Sequence, residues 1–116
     1  TYSFDMAVVP GDDEQLVVRS GFTAHILRRD MSTSTSFELP SDYGCIVASE
    51  EFIYATADGG DVHCFTHTGT KVTSYTNPDK PVDCPVLAPG GLLFCVLYEE
   101  GYDELDEIVA LDAQTL

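Results

Sequence analysis

Asp61 and His63 are the pair whose types and spacing first suggest chemistry. They sit two apart on the extended run Asp61-Val62-His63-Cys64-Phe65, and so share one face about 6.5 Å apart. At that separation a carboxylate begins a metal site or orients an imidazole as a general base. No third ligand accompanies them: His67 falls on the same face four strand residues along, about 13 Å from His63, too far for one ion to bridge. The pair therefore reads as a histidine satisfied within its strand or facing solvent, and no metal or other cofactor is expected.

Cysteines stand at 45, 64, 84 and 95, never in a C-x-x-C pair. Each falls in an apolar, strand-like run, where a thiol acts as a small hydrophobe. Reduced, buried cysteines in an intracellular or otherwise reducing compartment follow, since stapled mini-domains carry a higher cysteine density. Nucleophilic catalysis has no visible seat: there is no G-x-S-x-G elbow and no cysteine in an electropositive setting.

The most distinctive segment is Glu99-Glu100-Gly101-Tyr102-Asp103-Glu104-Leu105-Asp106-Glu107, six carboxylates in nine positions. Lying between two strand-like runs, it is expected to project as a solvated hairpin loop. It lacks the spacing of an EF-hand calcium loop, and its chemistry suits a basic partner. Tyr98 and Tyr102 add the amphipathic contact area that interfaces favour. The candidate partner-binding residues are Tyr98, Glu99, Glu100, Tyr102, Asp103, Glu104 and Asp106. The adjacent cations Arg28-Arg29 precede Asp30 in a turn and read as an edge or ion-pair device. The Ser32-Thr33-Ser34-Thr35-Ser36 stretch after them reads as a link, its hydroxyls engaged in turn chemistry rather than accepting phosphate.

Charge narrows the partners. Five Lys and Arg against 20 Asp and Glu give a net charge of −15 over 116 residues, which repels nucleic-acid phosphate and anionic membrane surfaces. No apolar run approaches the roughly 20 residues needed to cross a bilayer. There is no signal-peptide pattern after Thr1 and no Asn-x-Ser/Thr acceptor, because Asn77 precedes Pro78. The chain reads as an excised segment.

The elements that must position these residues are short and apolar: 6–9, 16–19, 23–28, 36–39, 45–48, 52–57, 62–66, 72–75, 85–88, 92–98 and 107–111. Gly, Pro and Asp clusters separate them and helical periodicity is absent, so the class is all-β. Their order repeats. Val8-Val9-Pro10, Val47-Ala48-Ser49 and Leu87-Ala88-Pro89 are offset by 39 and then 40 residues, and each leads through a turn into a stronger strand. Third strands follow at 24–27, 62–65 and 108–111, and fourth strands at 36–39 and 72–75.

Four antiparallel strands per period of about 40 residues is the spacing of β-propeller blades, and face-to-face stacking accounts for runs that are solidly apolar. Blade 1 spans about 5–40, blade 2 about 43–78 and an incomplete blade 3 about 82–116. A β-sandwich also yields many short strands with frequent turns and is the alternative. The segments Asp61 to Gly69 and Ile108 to Thr115 resemble the repeat of PQQ-like and WD40-like propellers. Ala110-Leu111-Asp112-Ala113-Gln114-Thr115 is similar to the strand-and-turn grammar of the PQQ-like unit, and Cys64 to Gly69 follows it more loosely. The chain departs from both families in having no Trp. The resemblance implies a propeller scaffold. It does not carry over the quinoprotein cofactor or activity, which use vicinal cysteines that this chain lacks.

These features point to a non-catalytic interaction or scaffold module that recognises a protein partner through its loops. The alternative is part of a propeller enzyme whose site lies at a central channel shared with other blades. Three blades do not close a ring of the usual four to eight, so further blades or a second copy of the chain are the expected neighbours.

Overall fold

Turn chemistry divides the apolar runs into hairpins. Gly60 closes one of them: its N–H donates to the Ala57 carbonyl at 2.9 Å and its φ of +83° is one that L side chains rarely adopt. A Cβ there would lie 2.6 Å from the Cβ of Pro81, so this hairpin is also a point of close approach between neighbouring sheets.

The computed structural model describes residues 4–11, 14–42, 44–57, 60–78, 80–98 and 105–116, with backbone alone at 84, 105 and 106. It contains β1 (Phe4–Val9), β2 (Gln15–Ser20), β3 (Thr23–Leu27), β4 (Thr33–Glu38), β5 (Ile46–Ala48), β6 (Phe52–Thr56), β7 (Asp61–Thr66), β8 (Lys71–Thr76), β9 (Val82–Ala88), β10 (Leu92–Tyr98) and β11 (Leu105–Asp112). There is no helix among the described residues, hence none long and apolar enough to cross a membrane.

The strands form three antiparallel meanders in chain order: β1-β2-β3-β4, β5-β6-β7-β8 and β9-β10-β11. Three stacked sheets replace the two of a sandwich. β5 lies against β1 and β2 on one side and against β9 on the other, so the first strands of the three sheets are neighbours. Among the described residues, the outer two sheets make no extensive contact with each other.

Side-chain alternation then builds two cores. Ile53 and Ala55 of β6, with Phe65 of β7, join Val9, Val17, Ala24 and Ile26 of the first sheet. Tyr54, Val62 and Cys64, on the opposite face, join Leu93, Cys95, Leu97 and Leu111 of the third. The middle sheet is thus covered on both sides, and residues 53–56 of β6 and 62–65 of β7 are buried without interruption. Fully burying one such Ile, Leu or Val contributes about 1.5–3 kcal/mol.

The flanking sheets keep one face open, and there the burial alternates. Phe4, Met6 and Val8 of β1 are exposed on the first sheet, and Val86, Leu92, Phe94 and Ile108 on the third.

Several strand boundaries differ from the sequence reading, β9 for one beginning at Val82, and two of the differences bear on the candidate residues. β4 begins at Thr33, so most of the Ser/Thr stretch is strand rather than link. Thr33 and Thr35 pair with Leu27 and Ile26, and the Ser34 hydroxyl donates to the Ile26 carbonyl at 3.1 Å; β-branched Thr suits such a ladder. β11 begins at Leu105, which places Asp106 and Glu107 in a strand and shortens the acidic loop from its C-terminal side.

Candidate recognition surfaces and the polar junction

The acidic hairpin joins β10 to β11. Glu99, Glu100, Tyr102, Asp103 and Glu104 lie outside the described residues, and Asp106 is described in backbone only. Tyr98 is the last residue of β10, half-buried rather than part of a free loop, and its N–H donates to the Pro81 carbonyl at 3.3 Å. Glu107 reaches back to the link before β9, 3.5 Å from Nζ of Lys80. Both strand ends that launch the hairpin are therefore tied to residues 80–81.

At the opposite end of the sheets, the turns after β1, β5 and β9 surround a cleft of about 300 Å³. Pro10, Ser49, Glu50, Glu51, Ala88 and Gly91 contribute to it, and Tyr54 forms its floor. The Tyr54 hydroxyl donates to the Ala113 carbonyl, linking the second and third sheets. Burial pushes its pKa up to about 12, with the Cys64 thiol next in effect and a hydrogen bond at Ser49 opposing.

Arg19, which the sequence reading passed over, is the largest fully buried side chain. It extends from β2 into the junction between the first two sheets. Its Nη1 donates to the carbonyls of Thr56 at 2.7 Å and Cys45 at 3.2 Å, and its Nη2 to that of Ser41 at 2.8 Å. Desolvation lowers its proton affinity, while Cys45, Asp5 and Asp42 oppose that effect. Asp5, opposite Arg19 in the β1–β2 ladder, accepts from the Ile46 N–H at 2.9 Å. Ser41 and Cys45, between one sheet and the next, thus have backbone carbonyls satisfied by the Arg19 guanidinium, and the Cys45 N–H donates to the Thr56 hydroxyl at 2.7 Å. Alternation along β2 was the available signal, because it sets Arg19 on the same face as Val17.

Asp61 and His63 do come together, with Oδ2 and Nε2 3.8 Å apart. His63 is buried, and its Nδ1 has no hydrogen-bond partner among the described residues. Burial holds its pKa below the ordinary value; Lys71 acts in the same direction and Asp61 against it. His67 is not on that face, because β7 ends at Thr66. It occupies the following turn and places Nε2 3.0 Å from the Ser49 carbonyl oxygen.

Cys64 and Cys95 are buried in the second core, and burial raises the Cys64 thiol to about 11, well above the range of a nucleophilic cysteine. Cys45 precedes β5 instead of lying within a strand. It is half-buried, and its thiol donates to Asp83 at 3.7 Å. Among the described residues, no group of three or more His, Cys, Asp or Glu side chains is placed to hold a metal ion.

The Arg28-Arg29-Asp30 turn joins β3 to β4 and acts as an ion-pair device. Arg29 lies 3.6 Å from Glu14, and Asp30 accepts from the Ser32 hydroxyl and N–H. Those bonds from Ser32 lower the Asp30 pKa.

No protein-family model and no curated protein matches the chain.

Proposed function

We propose that the chain is a non-catalytic protein-interaction module formed by three consecutive β-propeller blades, with a basic protein as partner. The observation that carries this reading is the stacking of three meanders in chain order with β1, β5 and β9 as neighbours. That arrangement gathers the turns at two ends of a rigid scaffold, where recognition usually resides. The charge of −15 selects partners of opposite sign and predicts salt-sensitive association. The acidic hairpin from Tyr98 through Asp106 is the recognition element, since its base is anchored at Pro81 and Lys80. Cys64 and Cys95, buried in an apolar core, suit a reducing, intracellular setting.

The test is fluorescence anisotropy with a labelled Lys-rich peptide and a Glu-rich counterpart. One variant neutralises the hairpin (E99Q, E100Q, D103N, E104Q, D106N); a control neutralises five carboxylates elsewhere in the sequence (D12N, D13N, E14Q, E50Q, E51Q). The Lys-rich peptide is expected to bind the parent and the control, and the hairpin variant about tenfold more weakly. Equal loss in both variants would reduce the effect to net charge and remove the hairpin from the proposal. Equal binding of both peptides would end the reading of a basic partner.

A further inference from the structure

The β9–β10 ladder slips once, between Phe94 and Val96. Asp83 pairs with Val96 and Val86 with Phe94, so Cys84 and Pro85 together stand opposite Cys95 alone, as in a β-bulge. Pro85 accounts for the slip. Without an N–H to give the ladder, a proline within a sheet is confined to edges and bulges, and β9 is an edge strand of its sheet.

The bulge sets one cysteine across from another. Val82 and Leu97 pair directly, and both belong to the core between the second and third sheets. Cys84 comes two residues after Val82 and Cys95 two before Leu97, so alternation gives both cysteines register positions on the core side. Cys95 is buried there, and Pro85 is buried as well. Residues directly opposite on antiparallel strands hold their Cα atoms about 4.5–5.5 Å apart, within the roughly 4.4–6.8 Å that a disulfide spans.

The remaining thiols are placed less well. Cys64 shares the core with Cys95 but belongs to the second sheet, and facing sheets stand about 10 Å apart. Cys45 precedes β5 in that same sheet, and its thiol donates to Asp83 at 3.7 Å.

We infer that Cys84 and Cys95 are a thiol–disulfide pair, held as two thiols in a reducing setting and closed into a cross-strand bond by a low-molecular-weight disulfide such as oxidised glutathione. One cysteine gives up its proton, and its thiolate attacks a sulfur of the small disulfide; a mixed disulfide forms and one glutathione thiolate leaves. The second cysteine thiolate attacks the protein sulfur of that mixed disulfide, forming the Cys84–Cys95 bond and expelling the second glutathione. The pair loses two electrons and two protons, and the small disulfide gains them as two thiols. The loop so closed contains Gly90 and Gly91, both at positive φ and with the most backbone freedom to lose on folding. A staple across it restricts the unfolded chain and favours the folded one.

The full chain, folded in buffer or unfolded in concentrated urea, is equilibrated with mixtures of reduced and oxidised glutathione, quenched with acid and mapped by mass. Trypsin cuts after Arg29 and Lys71, whereas Lys80 is followed by Pro81 and resists. Cys45 and Cys64 therefore leave in residues 30–71, and Cys84 and Cys95 in residues 72–116. The expected product is residues 72–116 lighter by two hydrogens. It should form in the folded chain at a ratio of oxidised glutathione to the square of reduced glutathione about tenfold or more below that required by the unfolded chain. The oxidised chain should then unfold at a higher urea midpoint than the reduced one. Cys84→Ser should abolish both the mass loss and the gain in midpoint, and Cys45→Ser should keep both.

Three results would overturn the inference: no bond in the folded chain, a bond that links residues 30–71 to residues 72–116, or an oxidised chain whose urea midpoint is unchanged or lower. The last would mean that the bulge holds the two cysteines apart.

Discussion

Nη1 of Arg19 on β2 donates to the carbonyl oxygen of Thr56 on β6 at 2.7 Å, so a single buried cation joins the first two sheets across 37 residues of chain. Arg19→Met keeps the aliphatic stem and leaves the carbonyls of Thr56, Cys45 and Ser41 without their donor. It should cost about 3 kcal/mol in urea denaturation. Arg19→Lys, with one donor head in place of a fork, should fall between. A cost below that of an ordinary surface change would mean that water replaces the guanidinium and that the junction does not depend on it.

Gly69, in the β7–β8 turn, approaches Phe37 of β4 from the neighbouring sheet. A Cβ on Gly69 would sit 2.5 Å from the Phe37 Cβ, and its φ is +94°. Phe37 cannot retreat freely, because its ring centroid lies 5.3 Å from that of Phe65. Gly69→Ala should destabilise by about 1–3 kcal/mol. Introduced into Phe37→Gly it should cost less, since that change removes the Phe37 Cβ along with the ring and only the backbone strain at Gly69 remains. A double-mutant cycle measures the difference, and strict additivity would argue against the contact.

The Tyr54–Ala113 bond predicts an alkaline signature. The folded-state pKa of about 12 lies above the ordinary value of 10.0, so the unfolded chain loses this proton first. Stability is retained below pH 10 and falls as pH rises from 10 toward 12. Tyrosinate absorbance should show one of the six tyrosines ionising late, with that step absent in Tyr54→Phe. The same variant should lose about 1 kcal/mol at neutral pH through its hydrogen bond. Unchanged late ionisation in the variant would assign the step to another tyrosine.

The repeat was legible because the spacing of the sheets follows from local chemistry. Apolar runs punctuated by Gly, Pro and Asp return at fixed intervals, and the sheets at β1–β4, β5–β8 and β9–β11 follow them. Unbroken burial in β6 and β7 was also legible from their solidly apolar runs, although it holds for the middle sheet alone; β1 and β10 alternate because one side of each is open. Arg19 was not legible as a core residue. Its environment is set by the carbonyls of Ser41, Cys45 and Thr56, distant in sequence, which need donors. His67 was misplaced by extending the strand through the Thr66–Thr70 turn, where the Gly69 N–H closes on the Thr66 carbonyl. The acidic run was split because β11 begins within it, with Leu105 opposite Tyr98 and Glu107 opposite Leu97 in the β10–β11 ladder: strand pairing overrode side-chain polarity.

Cysteine reactivity should follow position. Cys64 is fully buried with its thiol raised to about 11, and Cys95 is almost as deeply buried. Cys45, at the polar junction, is partly accessible. Brief alkylation of the native chain, read by peptide mass mapping, should modify Cys45 first and leave Cys64 and Cys95 unmodified until urea unfolds the protein. Early modification of Cys64 would show that the contact between the second and third sheets opens readily.

His63 makes the fold sensitive to mild acid. Burial and Lys71 hold its folded-state pKa below 6.5, and Asp61 only partly offsets them. The unfolded chain therefore takes up this proton first as pH falls. Stability is fully retained above pH 6.5 and declines below it until the folded-state value is reached, with a slope of at most about 1.4 kcal/mol per pH unit. Urea midpoints between pH 7.5 and 5 should show this decline, and His63→Leu should flatten it. Asp61→Asn should steepen it or extend it to lower pH, since the one neighbour favouring the charged imidazole is gone. An unchanged slope in His63→Leu would place the acid sensitivity among the carboxylates instead.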